Sequence, residues 1–355
     1  MIKLAIVGTG GIAHWHAEHF QKINEVRIVA ACDVNEKRLN EFSDKYNINE
    51  RFTSFDDLLN KSSIDAVSNA TPDNFHKEIA LKSLKNKKHI FSEKPLAENY
   101  FDAKEMFNAT KKTNLINMVN FSYRNSSGYQ GLVEVIKSGK IGNVKHVDAT
   151  YFQSWLTCKY WGDWRTNEKW LWRLSTKHGS LGVLGDLGVH LFDFASFPVG
   201  KIKNLNARLK TFEDKGVKIG EYILDANDTF VSLVEFENGA LGTISSTRFA
   251  TGMKNKLNLK IYCDFGAVKI SFDDPIKEGN YYEITTDTET EAFEKNKKLK
   301  WNKIKVAPTP TNFERFITSI INKSNDQPDF ERGAEIQKIL DSCNESSKEN
   351  KWISL

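Results

Sequence analysis

The stretch that most narrows the fold is the amino-terminal one, residues 2–33. "IKLAIVG" (2–8) is a short apolar run rich in branched residues that stops at glycine, the pattern of a buried strand. It runs into "GTGGIAHWHAEHF" (8–20), where Gly8, Gly10 and Ala13 have the G-x-G-x-x-A spacing and Ala17 and Phe20 continue a helix face. A second strand pattern, "VRIVAACD" (26–33), ends in Asp33. Glycines at that spacing are weak evidence alone. Strand, tight turn, helix, strand and terminal acid together form a dinucleotide-binding fingerprint. Gly8 permits the turn, Gly10 leaves the pyrophosphate unobstructed, and Ala13 lets helix and strand approach. Thr9, Gly11 and Ile12 complete the turn, whose N–H groups at the helix start receive phosphates. Asp33 accepts hydrogen bonds from ribose hydroxyls and repels a 2′-phosphate, which favours NAD over NADP. Arg38 stands nearby in sequence, and a guanidinium there can serve a phosphate instead.

The alternation continues. "IDAVSNAT" (64–71), "KHIFSEKP" (88–95) and "LINMVNF" (115–121) read as strands, and "NFHKEIALKSLKN" (74–86) and "YFDAKEMFNATKKT" (100–113) as helices. Strands and helices alternating at this spacing predict a parallel, doubly wound α/β sheet, a Rossmann domain. Ligands bind such sheets at the strands' carboxyl ends. The expected cofactor contacts are therefore Ala70, Thr71, Pro72, Asn74, His76, Glu93, Lys94 and Asn120.

The second half reads differently. "SSGYQGLVEVIKSGKIG" (126–142) is a connecting helix and turn, and 143–155, 228–236, 240–249, 257–263 and 267–272 are strands. "ENGA" (237–240) is a hairpin turn in which Asn238 and Gly239 can take positive φ. These patterns predict an α+β domain on a large, mainly antiparallel open sheet. The domain boundaries fall at 1–122 and 123–355, with closing helices at about 310–347 packing back on the first domain.

"GDLGVHLFD" (185–193) sets Asp186 and His190 one helical turn apart in an apolar stretch. A buried acid and imidazole are costly unless paired or used. Just upstream, "WLTCKYWGDWRTNEKWLWRLSTKHG" (155–179) holds five of the eight tryptophans. Indole faces stack on the C–H faces of sugars, and arginines grip hydroxyls or anions. Trp161, Arg165, Trp172 and Arg173 are thus candidate substrate residues in a segment expected to cover the substrate, although the rings can equally form core or a subunit interface. Lys159, Tyr160 and Lys177 are not assigned.

Several classes are excluded. Net charge is only +4, and the longest basic run, "EKNKKLKWNKIK" (294–305), reads as a solvated face, so no nucleic-acid partner is expected. Cys32, Cys158, Cys263 and Cys343 lie too far apart in sequence for a zinc or disulfide signature, which suits a cytoplasmic protein. No apolar run reads as a signal peptide or membrane span. Asp186, His190 and Asp193 make a thin metal donor set, so no metal is expected and Asp193 reads as structural. His14, His16 and His19 read as packing or surface residues.

"GTGGIA", "NATPDNFHKEIA", "SEKPLAEN", "NFSYR" and "GDLGVHLFD" occur in the order found in the Gfo/Idh/MocA oxidoreductases, which this chain resembles over nearly its whole length. The resemblance implies that Lys94 of E-K-P, Asp186 and His190 are catalytic, and that the bond before Pro95 is cis. Tyr123 and Arg124 match the Y-R after the sixth strand, and Trp172 and Arg173 match a W-R pair near nicotinamide or substrate. "HGSLGVLGD" departs from the glycine run that many members carry there. A homodimer or homotetramer built on the open sheet is also implied.

Oxidising a secondary alcohol removes the hydroxyl proton while hydride leaves carbon, and histidine suits the proton transfer. His190 is the expected base, Asp186 orients it or holds a substrate hydroxyl, and Lys94 stabilises the developing alkoxide. The expectation is an NAD(P)-dependent dehydrogenase of a sugar, cyclitol or related polyol. Its rivals are an NAD-dependent glycosidase, which would release an aglycone without net NADH, and a non-catalytic NAD(P)-binding regulator, which has no need for Lys94, Asp186 and His190 together.

Overall fold

Six parallel strands build the amino-terminal sheet: β1 (Ile2–Val7), β2 (Val26–Cys32), β3 (Glu50–Phe52), β4 (Ala66–Asn69), β5 (His89–Ser92) and β6 (Asn117–Val119). Their order, β3-β2-β1-β4-β5-β6, is that of a dinucleotide-binding Rossmann sheet, with the strand order reversing between β1 and β4. The computed structural model describes residues 1–159, 161–212, 216–273, 279–286 and 300–355. It divides into two compact units, Met1–Phe121 with Pro310–Gln337, and Ser122–Thr309 with Lys338–Leu355.

In the first unit, apolar strands are covered by helices α1 (Gly11–Phe20), α2 (Glu36–Tyr46), α3 (Phe55–Lys61), α4 (His76–Lys85) and α5 (Tyr100–Thr110). The late helix Asn312–Asn322 joins them. Thr311 caps it, its side chain accepting from the Glu314 N–H while Glu314 reaches back to the Thr311 backbone. Phe313, Phe316 and Ile317 then fall on one face and enter the core beside Phe20 and Phe91. Each such ring contributes roughly 1.5–3 kcal/mol by leaving water.

The second unit holds α6 (Ser127–Lys137), α7 (Glu168–Leu171), α8 (Val189–Val199) and a nine-stranded sheet. Its strands are β7 (Val144–Gln153), β8 (Ile202–Lys210), β11 (Thr229–Phe236), β12 (Leu241–Thr247), β13 (Asn255–Cys263), β14 (Gly266–Phe272), β15 (Tyr281–Thr285), β16 (Asn302–Lys305) and β17 (Ile353–Ser354). A separate short ribbon pairs β9 (Lys218–Ile219) with β10 (Tyr222–Ile223). Only β7 and β12 run parallel in the large sheet, so it is mixed and mainly antiparallel, as the sequence predicts. At 237–240 only Gly239 has positive φ. Residues 294–299 of the lysine-rich run lie outside the described residues, and 302–305 form the exposed edge strand β16.

One face of this sheet carries α8. Phe192 stacks on Phe230, and Tyr129 of α6 stacks on Phe194 with ring centroids 4.1 Å apart while its hydroxyl donates to the Phe194 carbonyl. Along β11, β12 and β13 the opposite face exposes Val231, Leu233, Leu241 and Tyr262.

Candidate active site

The first unit offers a dinucleotide cradle. Gly8 has φ +83°, and a Cβ there would lie 2.7 Å from the Ala70 backbone and 2.8 Å from Thr71 N, so glycine alone lets the β1 and β4 ends meet. Gly10 and Gly11 are different: a Cβ on either meets no protein atom within 4 Å. No packing requires these glycines, and the room they leave sits at the start of α1, whose first turn has no acid and no side-chain cap. Such a helix start suits a pyrophosphate, so the residues present fit a dinucleotide. Thr9 is buried and Ile12 exposed at this turn.

Asp33, at the end of β2, is buried and heavily partnered. Its Oδ2 accepts from Thr9 N (2.7 Å), Thr9 Oγ1 (2.9 Å) and Arg38 Nε (3.0 Å), and its Oδ1 from Asn35 N and Arg38 Nη2. Burial works to raise its pKa, but the bonds from Arg38, Thr9 and Asn35 outweigh it and hold the carboxyl below the usual range. Arg38 thus grips the acid expected to receive the ribose.

Four residues expected at ligand surfaces are buried and bonded to neighbouring protein groups. The His76 ring is sealed in, with Nδ1 2.7 Å from the Pro95 carbonyl and Nε2 3.0 Å from that of Thr71. Glu93 accepts from His16 Nε2 (2.8 Å) and Asn120 Nδ2 (2.7 Å), while His16 Nδ1 meets Ser68 Oγ at 2.7 Å. Burial alone would raise the Glu93 carboxyl, but hydrogen bonds from His16 and Asn120, with the charges of His16 and Lys94, bring it down to about 2. Ser–His–Glu here has the look of a hydrolase triad, but it is buried and ties α1 to the loop bearing Lys94. The Glu93 carboxylate also accepts from the Lys94 N–H, and Lys94–Pro95 is cis. Lys94 itself is half-buried, Thr71 bonds Asn69 Oδ1, and Pro72 and Asn74 are exposed.

The fourth is Arg124. Its Nε donates to Asp193 Oδ2 at 2.7 Å and its Nη2 to Oδ1, with both side chains buried and the guanidinium 3.6 Å from the Phe197 ring centroid. Arg124 fastens α8 rather than facing a ligand, and Asp193 is its structural partner. Tyr123 also faces α8, its ring 4.4 Å from that of His190 and its hydroxyl bonded to the Tyr151 hydroxyl.

Asp186 lies in a π-helical segment, Leu184–Gly188, that leads into α8. The expected regular turn is thus widened, a local geometry frequent at functional sites. Asn227 holds its start, accepting from Leu184 N and donating to the Leu181 carbonyl. Asp186 Oδ2 faces two guanidinium groups, Arg173 Nη1 at 2.9 Å and Arg248 Nη2 at 3.0 Å. Arg248 was not expected. The signal was an arginine closing a strand of small and apolar residues, "GTISSTRF".

The tryptophans divide. Trp155 and Trp164 join Leu156, Leu171, Leu174 and Leu224 in a small core, and Trp161 and Trp170 stack against each other on it. Trp172 is 39% exposed beneath the Arg173 guanidinium, and Arg165 is exposed over Trp164.

A family model described as an oxidoreductase family with an NAD-binding Rossmann fold matches residues 2–121, and the GFO/IDH/MocA C-terminal domain matches residues 129–269. The chain belongs to the Gfo/Idh/MocA oxidoreductase family. Levoglucosan dehydrogenase of Pseudarthrobacter phenanthrenivorans is 28% identical over 263 residues, 70% of this chain but only 65% of that protein's length. Myo-inositol 2-dehydrogenase of Thermotoga maritima is 28% identical over 280 residues, covering 78% of this chain and 76% of that one. D-glucoside 3-dehydrogenase of Escherichia coli is 24% identical and covers 100% and 97%. A solved levoglucosan dehydrogenase in complex with NADH and levoglucosan shares the fold, with a TM-score of 0.87 at 21% identity over 99% of both chains. No described helix is long and apolar enough to cross a membrane.

Proposed function

We propose that this family member is a dehydrogenase that moves hydride between a nicotinamide cofactor and a secondary hydroxyl of a sugar, cyclitol or related polyol. The observation that carries the reading is the pairing, in one chain, of a cradle that fits a dinucleotide with a helical segment that sets Asp186 against an exposed Trp172–Arg173 pair and continues into His190. The names of the relatives, dehydrogenases of levoglucosan, myo-inositol and glucosides, support the substrate class. Bound NAD supplies the hydride acceptor. His190 takes the hydroxyl proton, Lys94 stabilises the charge developing on oxygen, Asp186 accepts a hydrogen bond from a neighbouring hydroxyl, and the Trp172 ring stacks on a sugar face.

NAD is the preferred cofactor in this reading. A buried carboxylate at Asp33 disfavours a 2′-phosphate, and Arg38 is already committed to both of its oxygens. A homo-oligomer formed through the exposed sheet face suits Val231, Leu233 and Leu241, which monomers seldom leave in water together. Four free cysteines suit a reducing cytoplasm.

The test is the appearance of NADH with inositols, aldoses, sugar acids and anhydrosugars, with NADP run in parallel. A clear rate on one polyol is expected. Tight NAD binding with silence across the whole panel would sink the dehydrogenase reading.

A further inference from the structure

The side chain left over once the expected site residues are placed is Arg248. It follows β12, is 0% exposed, and splits its donors between two segments. Nη2 reaches Asp186 Oδ2 at 3.0 Å, and Nη1 donates to the Arg173 carbonyl at 3.1 Å. Its guanidinium carbon sits 5.0 Å from the Trp155 ring centroid. Its own backbone is tied on both sides, with Arg248 N donating to the Asp228 carbonyl and the Arg248 carbonyl accepting from Leu156 N.

A guanidinium sealed from water is costly unless it is paired, and its fixed fork of donors can hold two partners in one geometry. Burial pulls its pKa down to about 10, with the Asp186 charge working against that, so it remains a cation at neutral pH. Arg173, by contrast, is 30% exposed and meets the same carboxylate oxygen from the solvent side. One arginine is therefore anchored and the other is open to a ligand.

We propose that Arg248 is a positioning residue of the active site: its buried fork fixes the Asp186 carboxylate and the backbone of Arg173 in one arrangement, and leaves the Arg173 side chain as the one that answers to substrate. This rests on the dehydrogenase reading above. Arg248 touches no reacting atom in this scheme and acts through Asp186. A lysine carries a compact ammonium on a flexible stem in place of a rigid planar fork, so it does not hold the two partners in this fixed arrangement.

The test compares wild type, Arg248→Lys, Asp186→Asn and the double variant of the full chain, with NAD and whichever polyol of the panel gives the strongest wild-type rate. Melting temperature and NADH binding are measured beside kcat and KM. The expected result for R248K is a fall in kcat of about 100-fold, the scale of a misplaced active-site group, with NADH binding unchanged. Added to D186N, R248K costs clearly less than it does in the wild type, because the Asp186 share of its effect is already lost and only its tie to the Arg173 carbonyl remains. Should R248K not fold, Arg248→Gln, which retains an amide donor, replaces it in the same cycle. Wild-type kcat and KM in a folded variant, or losses that multiply in the double variant, would overturn the inference while leaving the dehydrogenase reading in place. So would failure of both variants to fold, which makes Arg248 a folding residue only. A wild type silent on every polyol overturns the dehydrogenase reading and this inference with it.

Discussion

His190, Asp33 and Glu93 show how a titratable side chain acquires its task from its partners. His190 is buried against the Tyr123 ring at the start of α8 and is the base in the function proposed above. His190→Ala is expected to lower kcat by about 10²–10⁴-fold with NAD affinity nearly unchanged, and unaltered turnover would remove it as the base. Asp33 faces the cofactor turn, so Asp33→Ala should weaken NAD far more than NADP in equilibrium titrations; equal losses would undo the cofactor preference. Glu93 is depressed to about 2 in the folded chain, against 4.5 for an ordinary glutamate. A depressed carboxyl contributes stability above its unfolded pKa and loses it as pH falls through the folded value. Melting temperature should therefore fall between about pH 4.5 and 2, and Glu93→Gln should flatten that part of the profile. A profile as steep in the variant would place the acid sensitivity elsewhere. The alternation of the first strands and the glycine spacing made the cradle legible at this scale. That His76, Glu93 and Asn120 turn inward was not legible, because a polar residue at a strand's carboxyl end reads the same whether it meets a cofactor or a neighbouring loop.

At the scale of elements, α8 is the structural centre of the second unit. It is apolar on nearly all sides and is fixed by stacking of Phe192 on Phe230 and of Tyr129 on Phe194, and by the buried Arg124–Asp193 pair. Removing one member of such a pair leaves an unpaired buried charge. Arg124→Ala should thus lose about 3–5 kcal/mol of stability, read from denaturant or thermal unfolding, whereas replacing the pair together (Arg124→Met with Asp193→Leu) should lose much less. Equal losses would mean that packing of the arginine stem, not its charge, carries the effect. The helix itself was readable from its apolar run, but the π-helical segment at Asp186 was not. It depends on Asn227, some forty positions further along, bonding the residues at its start. The tryptophan-rich segment was left open between core and ligand. The structure gives most of its rings to a local core and exposes Trp172.

For the molecule as a whole, the unexplained surface is the open sheet. Val231 and Leu233 of β11 and Leu241 of β12 lie exposed on one face, Leu241 opposite Glu235 and so diagonal to Leu233. If a second copy covers them, Leu233→Lys with Leu241→Lys should shift sedimentation from oligomer to monomer without unfolding the chain. A wild type that sediments as a monomer at micromolar concentration would remove the oligomer.

Local chemistry was enough to write β1, the G-x-G-x-x-A turn, α1, β2 and the alternation after them, because buried parallel strands and a phosphate turn need particular residues in immediate succession. It was also enough for the family, whose signature is a series of short motifs in order. Three features depended on the tertiary structure. Strands β8 and β17 carry too few apolar residues to announce themselves and become strands by pairing, Ile353 and Ser354 of β17 opposite Leu205 and Asn204 of β8. The helix Asn312–Asn322 signals its own start through Thr311 and Glu314, but which core its phenylalanines enter is set by the cluster of Phe20 and Phe91 that receives them. Arg248 is one arginine among many until folding removes it from water. Desolvation then forces a buried cation to find partners, and those it finds are Asp186 and the carbonyl of Arg173.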